Sequence, residues 1–284
     1  MQAAMIGVGA IGEPMADRVL EAGIALRVYD VAPAQVAALA ERGATPASSP
    51  AEAASGASVV GFVVRTDAQL IEAILGEQGA LGTMSTGSVL VIQSTVLPAT
   101  IEQIAAAASE RGVGVVDAPI TGGRPGAEAG TLVVMAGGSE ADIETCRPFL
   151  AAMSKQIVVC GERGHGMIAK LCNNLVGYLA YFAAYEANQL ASRSGLDPAR
   201  LDEVLLSGGL MTQSMQGYLS LGRSQQQQGN EPMQQMLERI TELAEKDLGH
   251  TLEAAAAAGL ELPASALCQQ WMGRVYGLTP PDES

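Results

Sequence analysis

The sequence is poor in positive charge and in aromatic side chains. Its 16 lysine and arginine residues stand against 30 aspartate and glutamate residues, which gives a formal net charge of −14 at pH 7. A chain of that charge repels nucleic acid and anionic membrane surfaces, so we expect neither as a partner. Aromatic residues make up only 4% of the chain, whereas glycine occurs 33 times. This composition favours close backbone packing over a binding surface of stacked aromatic rings.

Cysteine is scarce as well. The chain has four cysteines and no C-x-x-C pair, so neither a disulfide framework nor a zinc site is expected, and we predict no metal. The apolar stretch at the N-terminus has no basic residues before it and is interrupted by Glu13, unlike a secretory signal. We therefore expect a cytoplasmic protein.

A long uninterrupted apolar run is also missing. The most apolar helix candidate, from Leu171 to Leu190, contains three asparagines and Glu186, too many polar groups for a membrane span. We interpret it as a buried helix.

Short apolar runs alternate with amphipathic runs in the first half of the chain. This alternation is typical of βαβ units and predicts an α/β fold with a mainly parallel sheet. It ends near Gly161, which predicts a first domain of residues 1–161. The predicted strands are Ala3–Ile6, Ala25–Tyr29, Ser58–Val64, Ser88–Ile92, Val113–Val116, Leu132–Ala136 and Ile157–Val159.

Helical patterns alone follow from His165 onward, so we predict an all-α second domain of residues 162–284. The polar stretch 223–232, which contains four consecutive glutamines, is interpreted as a loop between helices. The predicted helices are Met167–Arg193, Pro198–Leu206, Glu231–Ala258 and Pro263–Tyr276.

A G-x-G-x-x-G motif follows the first predicted strand directly. In such a turn Gly7 permits the tight bend, Gly9 lets a pyrophosphate approach the backbone, and Gly12 allows close packing of helix on strand. Asp30 follows the second predicted strand, where a carboxylate binds the ribose 2′-hydroxyl and repels a 2′-phosphate. The motif predicts a dinucleotide site that favours NAD over NADP, although Asp30 is also an ordinary residue for a turn at a strand end.

Two further loops carry hydroxyl groups at predicted strand ends. Ser94 and Thr95 follow an apolar strand, where they are either helix caps or neighbours of the cofactor. Thr121, Gly122 and Gly123 form a turn whose backbone N–H groups suit a carboxylate, although glycines there also serve a purely conformational turn.

An amine and two amides lie on one face of an otherwise apolar helix. Lys170, Asn173 and Asn174 are spaced i, i+3 and i+4. A lysine beside an apolar wall and a cationic ring is suited to general acid–base catalysis, because its pKa falls; the alternative is a lysine whose head reaches water. His165 is a rival base, but its place between two glycines is more typical of a helix entrance.

Taken in order, these segments resemble the β-hydroxyacid dehydrogenase family, which includes 3-hydroxyisobutyrate dehydrogenase and tartronate semialdehyde reductase. Further matches are Glu186, the segment Gly195-Leu196-Asp197 and the late Lys246-Asp247-Leu248. The resemblance covers essentially the whole chain. It implies a Rossmann domain, a helical second domain, and hydride transfer between NAD (or NADP) and the β-hydroxyl of a small β-hydroxy acid. The acid would be of the 3-hydroxyisobutyrate kind or related to glycerate and tartronate semialdehyde.

The same resemblance implies a role for each matching residue. Lys170 would donate and accept the proton, and Asn174 would orient the substrate with Asn173 beside it. The turn Thr121–Gly123 would hold the substrate carboxylate, with threonine where the family usually has serine. The implied cofactor-binding residues are Gly7, Gly9, Ala10, Ile11, Gly12, Asp30, Thr95 and Lys246.

The sequence leaves several alternatives open. Imine reductases share the architecture but usually lack an amine at the position of Lys170, and a non-catalytic dinucleotide sensor would not need one. Segment 208–232 lacks the aromatic-rich approach to Lys-Asp-Leu that the family shows, so the substrate is not identified. Arg27 and Arg42 stand near Asp30 in the sequence and would weaken its preference for NAD. A homodimer or homotetramer is expected from the family.

Overall fold

The computed structural model describes residues 1–228 and 231–278, and the chain divides into two units, residues 1–170 and the chain from Leu171 onward. Each unit has its own hydrophobic core. The first unit contains the sheet, and the second consists of helices.

Nine strands form one sheet within the described residues. The seven predicted strands are confirmed with small shifts at their ends, and two strands of two residues each were not predicted, because so short a pairing leaves no pattern in the sequence. The strands are β1 Gln2–Ile6, β2 Ala25–Tyr29, β3 Thr45–Pro46, β4 Val59–Phe62, β5 Val89–Ile92, β6 Gly114–Asp117, β7 Ile120–Thr121, β8 Leu132–Gly137 and β9 Ser154–Gly161.

The first six strands are mutually parallel in the order β3-β2-β1-β4-β5-β6. This is the strand order of a doubly wound dinucleotide-binding sheet, whose ligand crevice lies outside the carboxyl ends of the strands where the order reverses. The reversal falls between β1 and β4, where Ala3 pairs with Val59. Strand β8 runs antiparallel to β6, and β9 runs parallel to β8. The predicted mainly parallel α/β sheet is confirmed.

Helices cover the sheet on both faces. One core cluster includes Met15 and Phe149, and the other includes Phe62 and Leu90, all of them completely buried. Burial of each such side chain contributes about 1.5–3 kcal/mol. The helices of the first unit are α1 Gly12–Glu21, α2 Pro33–Ala40, α3 Pro50–Ala54, α4 Asp67–Leu75, α5 Pro98–Ser109, α6 Gly123–Glu128 and α7 Glu140–Met153, with a 3₁₀ turn at Ala80–Gly82.

Helix α8, His165–Arg193, begins in the first unit and continues into the second. It starts two residues before the predicted Met167. The prediction of a buried helix is only partly right, because Val176 and Leu190 are exposed. None of the described helices is long and apolar enough to cross a membrane. The remaining helices are α9 Pro198–Ser207, α10 Gln213–Gln228, α11 Glu231–Ala257 and α12 Pro263–Val275.

The predicted loop at 223–232 is wrong over most of its length. Residues 223–228 belong to α10 and residues 231–232 to α11, whereas 229 and 230 lie outside the described residues. Glutamine is a good helix former, and α10 buries Met215 and Leu219 in the core of the second unit. That packing outweighs the polar composition. Elsewhere after Gly161, the described residues contain no strand, as predicted.

Candidate active site

The turn after β1 is closed by contacts that only glycine allows. Gly7 has a φ of 88°, and a Cβ there would lie 2.2 Å from the carbonyl oxygen of Val63, just beyond β4. A Cβ on Gly12 would lie 2.1 Å from the carbonyl oxygen of Gly7. The first and third glycines are therefore required by the fold itself.

Gly9 differs from the other two glycines. Its φ is not in the left-handed region, and an ideal Cβ there would meet nothing closer than Oε1 of Gln35, at 4.0 Å, apart from its chain neighbours. Among the described residues, no side chain caps the start of α1. An uncapped helix N-terminus with open space above a glycine suits a pyrophosphate, so the loop Gly7–Gly12, including Ala10 and Ile11, fits the predicted cofactor.

Asp30 lies beside this loop. Its Oδ2 accepts a hydrogen bond of 2.7 Å from the backbone N–H of Val8, and its Oδ1 accepts one of 2.8 Å from that of Ala32. The carboxylate therefore holds the glycine loop to the end of β2. Each carboxylate oxygen can accept a further hydrogen bond, so a ribose hydroxyl can be received as well.

The two arginines near Asp30 in the sequence have other partners. Arg27 donates to the carbonyl oxygen of Ser55 at 2.5 Å. Arg42 pairs with Asp17 at 2.7 Å and Glu13 at 2.8 Å. Both guanidinium groups therefore have partners other than Asp30.

The loop after β5 is tied to its neighbours by polar contacts. Ser94 Oγ accepts from the backbone N–H of Val64 at 2.7 Å, which links this loop to the end of β4. Asp67 Oδ1 accepts from the N–H of Leu97 at 2.9 Å. Thr95 is half-buried between these two anchors at the carboxyl edge of the sheet.

The glycine turn after β7 is linked to the cofactor loop. Gly122 and Gly123 have φ values of 124° and 60°, so the backbone conformation favours glycine at both positions. The next residue, Arg124, donates from Nη1 to the carbonyl oxygen of Ala10 at 2.9 Å. Thr121 is half-buried at the start of this turn. The predicted substrate turn and the predicted pyrophosphate loop are thus connected.

Helix α8 starts at a buried carboxylate. Asp117, the last residue of β6, accepts hydrogen bonds of 2.7 Å from the backbone N–H groups of Gly164 and Met167. Burial raises the pKa of the Asp117 carboxyl, and these backbone N–H groups oppose the rise. Lys170 follows within the first two turns of α8 and is half-buried, whereas His165 is exposed at the helix start.

The second unit contains the polar cluster around Asp247. Asn174 donates from Nδ2 to Asp247 Oδ2 at 2.8 Å, and the hydroxyl of Tyr178 donates to the same oxygen at 3.2 Å. Nζ of Lys246 lies 3.1 Å from Asp247 Oδ1. Burial and the nearby carboxylate raise the pKa of Tyr178, so the phenol keeps its proton. Asn173 is exposed and donates from Nδ2 to Asn174 Oδ1 at 3.2 Å.

Two family models cover nearly the whole chain. Residues 2–161 match the NAD binding domain of 6-phosphogluconate dehydrogenase, and residues 164–277 match the NAD-binding domain of NADP-dependent 3-hydroxyisobutyrate dehydrogenase. The chain belongs to the β-hydroxyacid dehydrogenase family.

Individual relatives agree with this membership. The chain is 39% identical over 196 residues to the probable mitochondrial 3-hydroxyisobutyrate dehydrogenase of Dictyostelium discoideum, an alignment that covers 69% of this chain and 61% of that protein. It is 34% identical to the 2-(hydroxymethyl)glutarate dehydrogenase of Eubacterium barkeri, over 98% of this chain and 91% of that one. The solved structure of Mycobacterium tuberculosis 3-hydroxyisobutyrate dehydrogenase with L-serine superposes with a TM-score of 0.80 at 28% identity, covering 96% and 92% of the two chains.

This β-hydroxyacid dehydrogenase is an NAD(P)-dependent oxidoreductase of hydroxy acids. Among the residues that the structure describes, no group of three or more histidine, cysteine, aspartate or glutamate side chains could hold a metal ion.

Three polar residues of these clusters were not predicted as functional. Asp117 and Asp247 stand inside motifs that the sequence singled out, but their partners lie 47 to 73 residues away along the chain. Tyr178 likewise lies 69 residues from Asp247. The sequence signal that could have indicated the two aspartates is a charged residue at the end of an apolar strand, for Asp117, or on an apolar helix face, for Asp247.

Proposed function

We propose that this β-hydroxyacid dehydrogenase transfers hydride between a nicotinamide and the carbon that carries the β-hydroxyl of a small β-hydroxy acid, with Lys170 as the proton donor and acceptor. The acid is of the 3-hydroxyisobutyrate class, in keeping with the names of the relatives.

The start of helix α8 is the observation that carries this proposal. Strands β1 and β6 belong to the parallel part of the sheet, so their carboxyl ends lie at the same edge. The glycine loop follows β1, and Asp117 at the end of β6 holds the first turn of α8. The first turn of α8, which Lys170 follows, therefore starts at the edge of the sheet where a dinucleotide binds in this fold.

The first unit supplies the groups for cofactor binding. The loop Gly7–Gly12 receives the pyrophosphate at the uncapped start of α1, and Asp30 receives the ribose. Thr95 stands at the end of β5, close to where the nicotinamide side of the crevice is expected. When bound, the nicotinamide supplies or accepts the hydride.

The proton is handled by the chain itself. The turn Thr121–Gly123 binds the substrate carboxylate and fixes the position of the reacting carbon. Neutral Lys170 takes the proton from the β-hydroxyl as the alcohol is oxidised, and in the reverse direction protonated Lys170 gives it to the developing alkoxide. Asn174 orients the hydroxyl, with Asn173 beside it. The cofactor-binding role of Lys246 stays a prediction from the sequence.

The preference for NAD over NADP is part of the proposal. Asp30 places a negative charge where a 2′-phosphate would lie, and Arg27 and Arg42 are engaged with other groups. The assembly into a homodimer or homotetramer and the cytoplasmic location stay predictions from the sequence.

The test is an absorbance assay with NADH and NADPH over a panel of short β-hydroxy acids and their semialdehydes. Lys170→Ala should lower turnover by about 10²- to 10⁴-fold, the usual contribution of a general acid–base, and leave NADH binding unchanged. The chain has only three lysines, so Lys155→Ala, on an exposed strand position, is a matched control.

The panel separates the alternatives. Turnover of one acid that Lys170→Ala abolishes and Lys155→Ala preserves supports the proposal. Turnover of cyclic imines in place of acids would support the imine reductase alternative. NADH binding without turnover of any compound would support the non-catalytic sensor.

A further inference from the structure

A completely buried carboxylate has no role in the proton transfer proposed above. Asp117 has 0% of its surface exposed, yet both of its oxygens are used. Oδ1 accepts from the N–H of Gly164, directly before α8, and Oδ2 accepts from the N–H of Met167, the third residue of that helix, each at 2.7 Å. Since both oxygens accept from N–H donors, the geometry matches the ionised carboxylate.

The backbone closes around this carboxylate at glycines. An ideal Cβ on Gly137 would lie 2.8 Å from Oδ1, and one on Gly166 would lie 2.9 Å from Oδ2. The same Cβ on Gly166 would lie 2.3 Å from the carbonyl oxygen of Met135. Any side chain at these two positions would push the helix start away from the sheet. The close packing at Gly137 and Gly166 therefore restricts the position of the first turn of α8 relative to Asp117.

The residue directly before α8 is Gly164, which has no side chain that could cap the helix in place of Asp117. Helices are usually preceded by a serine, threonine, aspartate or asparagine that accepts from the first N–H groups, whereas α8 is preceded by Gly164 and begins with His165 and Gly166. Its capping carboxylate comes from a strand residue 47 positions before Gly164. Capping and attachment to the sheet are thus the same contact. Two hydrogen bonds three residues apart fix both the axial position and the rotation of the first helical turn.

We propose that Asp117 is a positioning residue for Lys170: it sets where the first turn of α8 sits on the sheet and thereby where the amine three residues after Met167 is presented. This inference rests on the proposed function of Lys170. A misplacement of about 1 Å at a reacting group can cost about 10²-fold in rate, so a change at Asp117 acts on turnover more than on cofactor binding.

The first measurement needs no substrate. Reductive methylation with ¹³C-formaldehyde labels the three lysines and the N-terminus, and Lys→Arg variants assign the signals. Asp117→Asn keeps one acceptor oxygen but turns an amide N–H₂ toward a backbone N–H. We expect it to shift the chemical shift or titration of Lys170 and to leave the signals of Lys155 and Lys246 in place. An unchanged Lys170 signal would overturn the inference.

The second measurement is a double-mutant cycle with Lys170→Ala. With NAD⁺ and 3-hydroxyisobutyrate, or the panel acid of highest turnover, Asp117→Asn should lower kcat at least about tenfold while the Kd for NADH changes less than about twofold. In the Lys170→Ala background the same change should lower single-turnover rates less than about twofold, because residues that act as a unit are not additive. Equal losses in both backgrounds would show a general structural effect and contradict the proposal.

Asp142→Asn is the matched control. It removes one carboxylate charge on α7 and should leave kcat unchanged.

A second variant covers the case in which Asp117→Asn does not fold, and the result for Lys170→Ala separates this inference from the proposed function. If Asp117→Asn fails to fold, an ester in place of the peptide N–H of Met167 removes one of the two hydrogen bonds and leaves the carboxylate intact; it should reproduce the kcat loss and the Lys170 signal shift, and their absence would overturn the inference. If Lys170→Ala keeps wild-type turnover, the proposed proton donor and this inference both fall. If Lys170→Ala is inactive and Asp117→Asn is not, this inference alone falls.

Discussion

Asn174 donates a hydrogen bond from Nδ2 to Oδ2 of Asp247, 2.8 Å away. Asp247 is 3% exposed; the hydroxyl of Tyr178 donates to the same oxygen at 3.2 Å, and Nζ of Lys246 forms an ion pair of 3.1 Å with Oδ1. Because an ionised carboxylate only accepts, this contact fixes which end of the Asn174 amide faces it. Asn174 keeps one further N–H, and its carbonyl oxygen, which accepts from Nδ2 of Asn173 at 3.2 Å, can accept a second hydrogen bond, so both can orient a substrate.

Asp247→Asn should therefore lower kcat. The new amide has no charge to hold the donors of Asn174 and Tyr178 or the ammonium group of Lys246, and a hydrogen bond to a charged group contributes about 1.5–3 kcal/mol, which corresponds to a loss of about ten- to a hundredfold. Steady-state kinetics on the acid found in the panel measure the loss. Tyr178→Phe, which removes only the 3.2 Å bond, should cost less. Wild-type kcat in Asp247→Asn would show that Asn174 does not depend on this contact.

Asp30→Asn should change the choice of cofactor. The substitution removes the charge that repels a 2′-phosphate and one of two acceptors that bind the N–H groups of Val8 and Ala32. We expect the Kd for NADH to rise about tenfold or more, equivalent to about 1.4 kcal/mol, and the ratio of the Kd for NADPH to that for NADH to fall. Fluorescence titrations with both nucleotides measure these constants. Glu144→Gln, a surface change of the same charge, should leave the ratio unchanged; an unchanged ratio in Asp30→Asn as well would refute the assignment of the ribose site.

Local patterns predicted the strands and the glycine loop because both depend on residues close together in the sequence. The contacts of Asp117 with α8 and of Asn174 with Asp247 join residues 47 to 73 positions apart, which no local periodicity encodes. Helix α10 was not predicted, because its local composition favours a loop and its helical structure depends on packing in the core. Its glutamine run looks like a polar loop, and only the burial of Met215 and Leu219 shows why it is helical.

The aromatic content of the second unit illustrates the same limit. The sequence before Lys246 lacks the expected aromatic-rich segment, yet Tyr181, Tyr218 and Tyr276 form a cluster with ring centroids 6.0 to 6.1 Å apart. Three distant elements each supply one ring. A count of aromatics in one segment could not reveal this cluster.

Arg124→Gln should weaken cofactor binding and leave the fold intact. Arg124 is largely exposed and donates to the carbonyl oxygen of Ala10, so its guanidinium stands at the loop that we propose receives the pyrophosphate. An exposed cationic contact contributes about 1 kcal/mol or less, so we expect a rise of about two- to fivefold in the Kd for NADH, smaller at high salt. Arg147→Gln, which breaks a surface pair with Glu144, is the matched control. A Kd that stays constant at low salt would exclude a role for Arg124 in cofactor binding.

Alanine substitutions at Gly9 and Gly12 should have different effects: one on NADH binding and the other on thermal stability. A Cβ on Gly12 would lie 2.1 Å from the carbonyl oxygen of Gly7, so Gly12→Ala should lower the Tm of the cofactor-free protein. A Cβ on Gly9 has no such neighbour, and alanine there also restricts the unfolded chain, so Gly9→Ala should keep or slightly raise the Tm. Its methyl group would instead occupy the space that we propose for the pyrophosphate, and we expect the Kd for NADH to rise at least about tenfold. Thermal denaturation and NADH titration of the two variants measure both quantities; tight NADH binding by Gly9→Ala would mean that the pyrophosphate does not approach the loop at this residue.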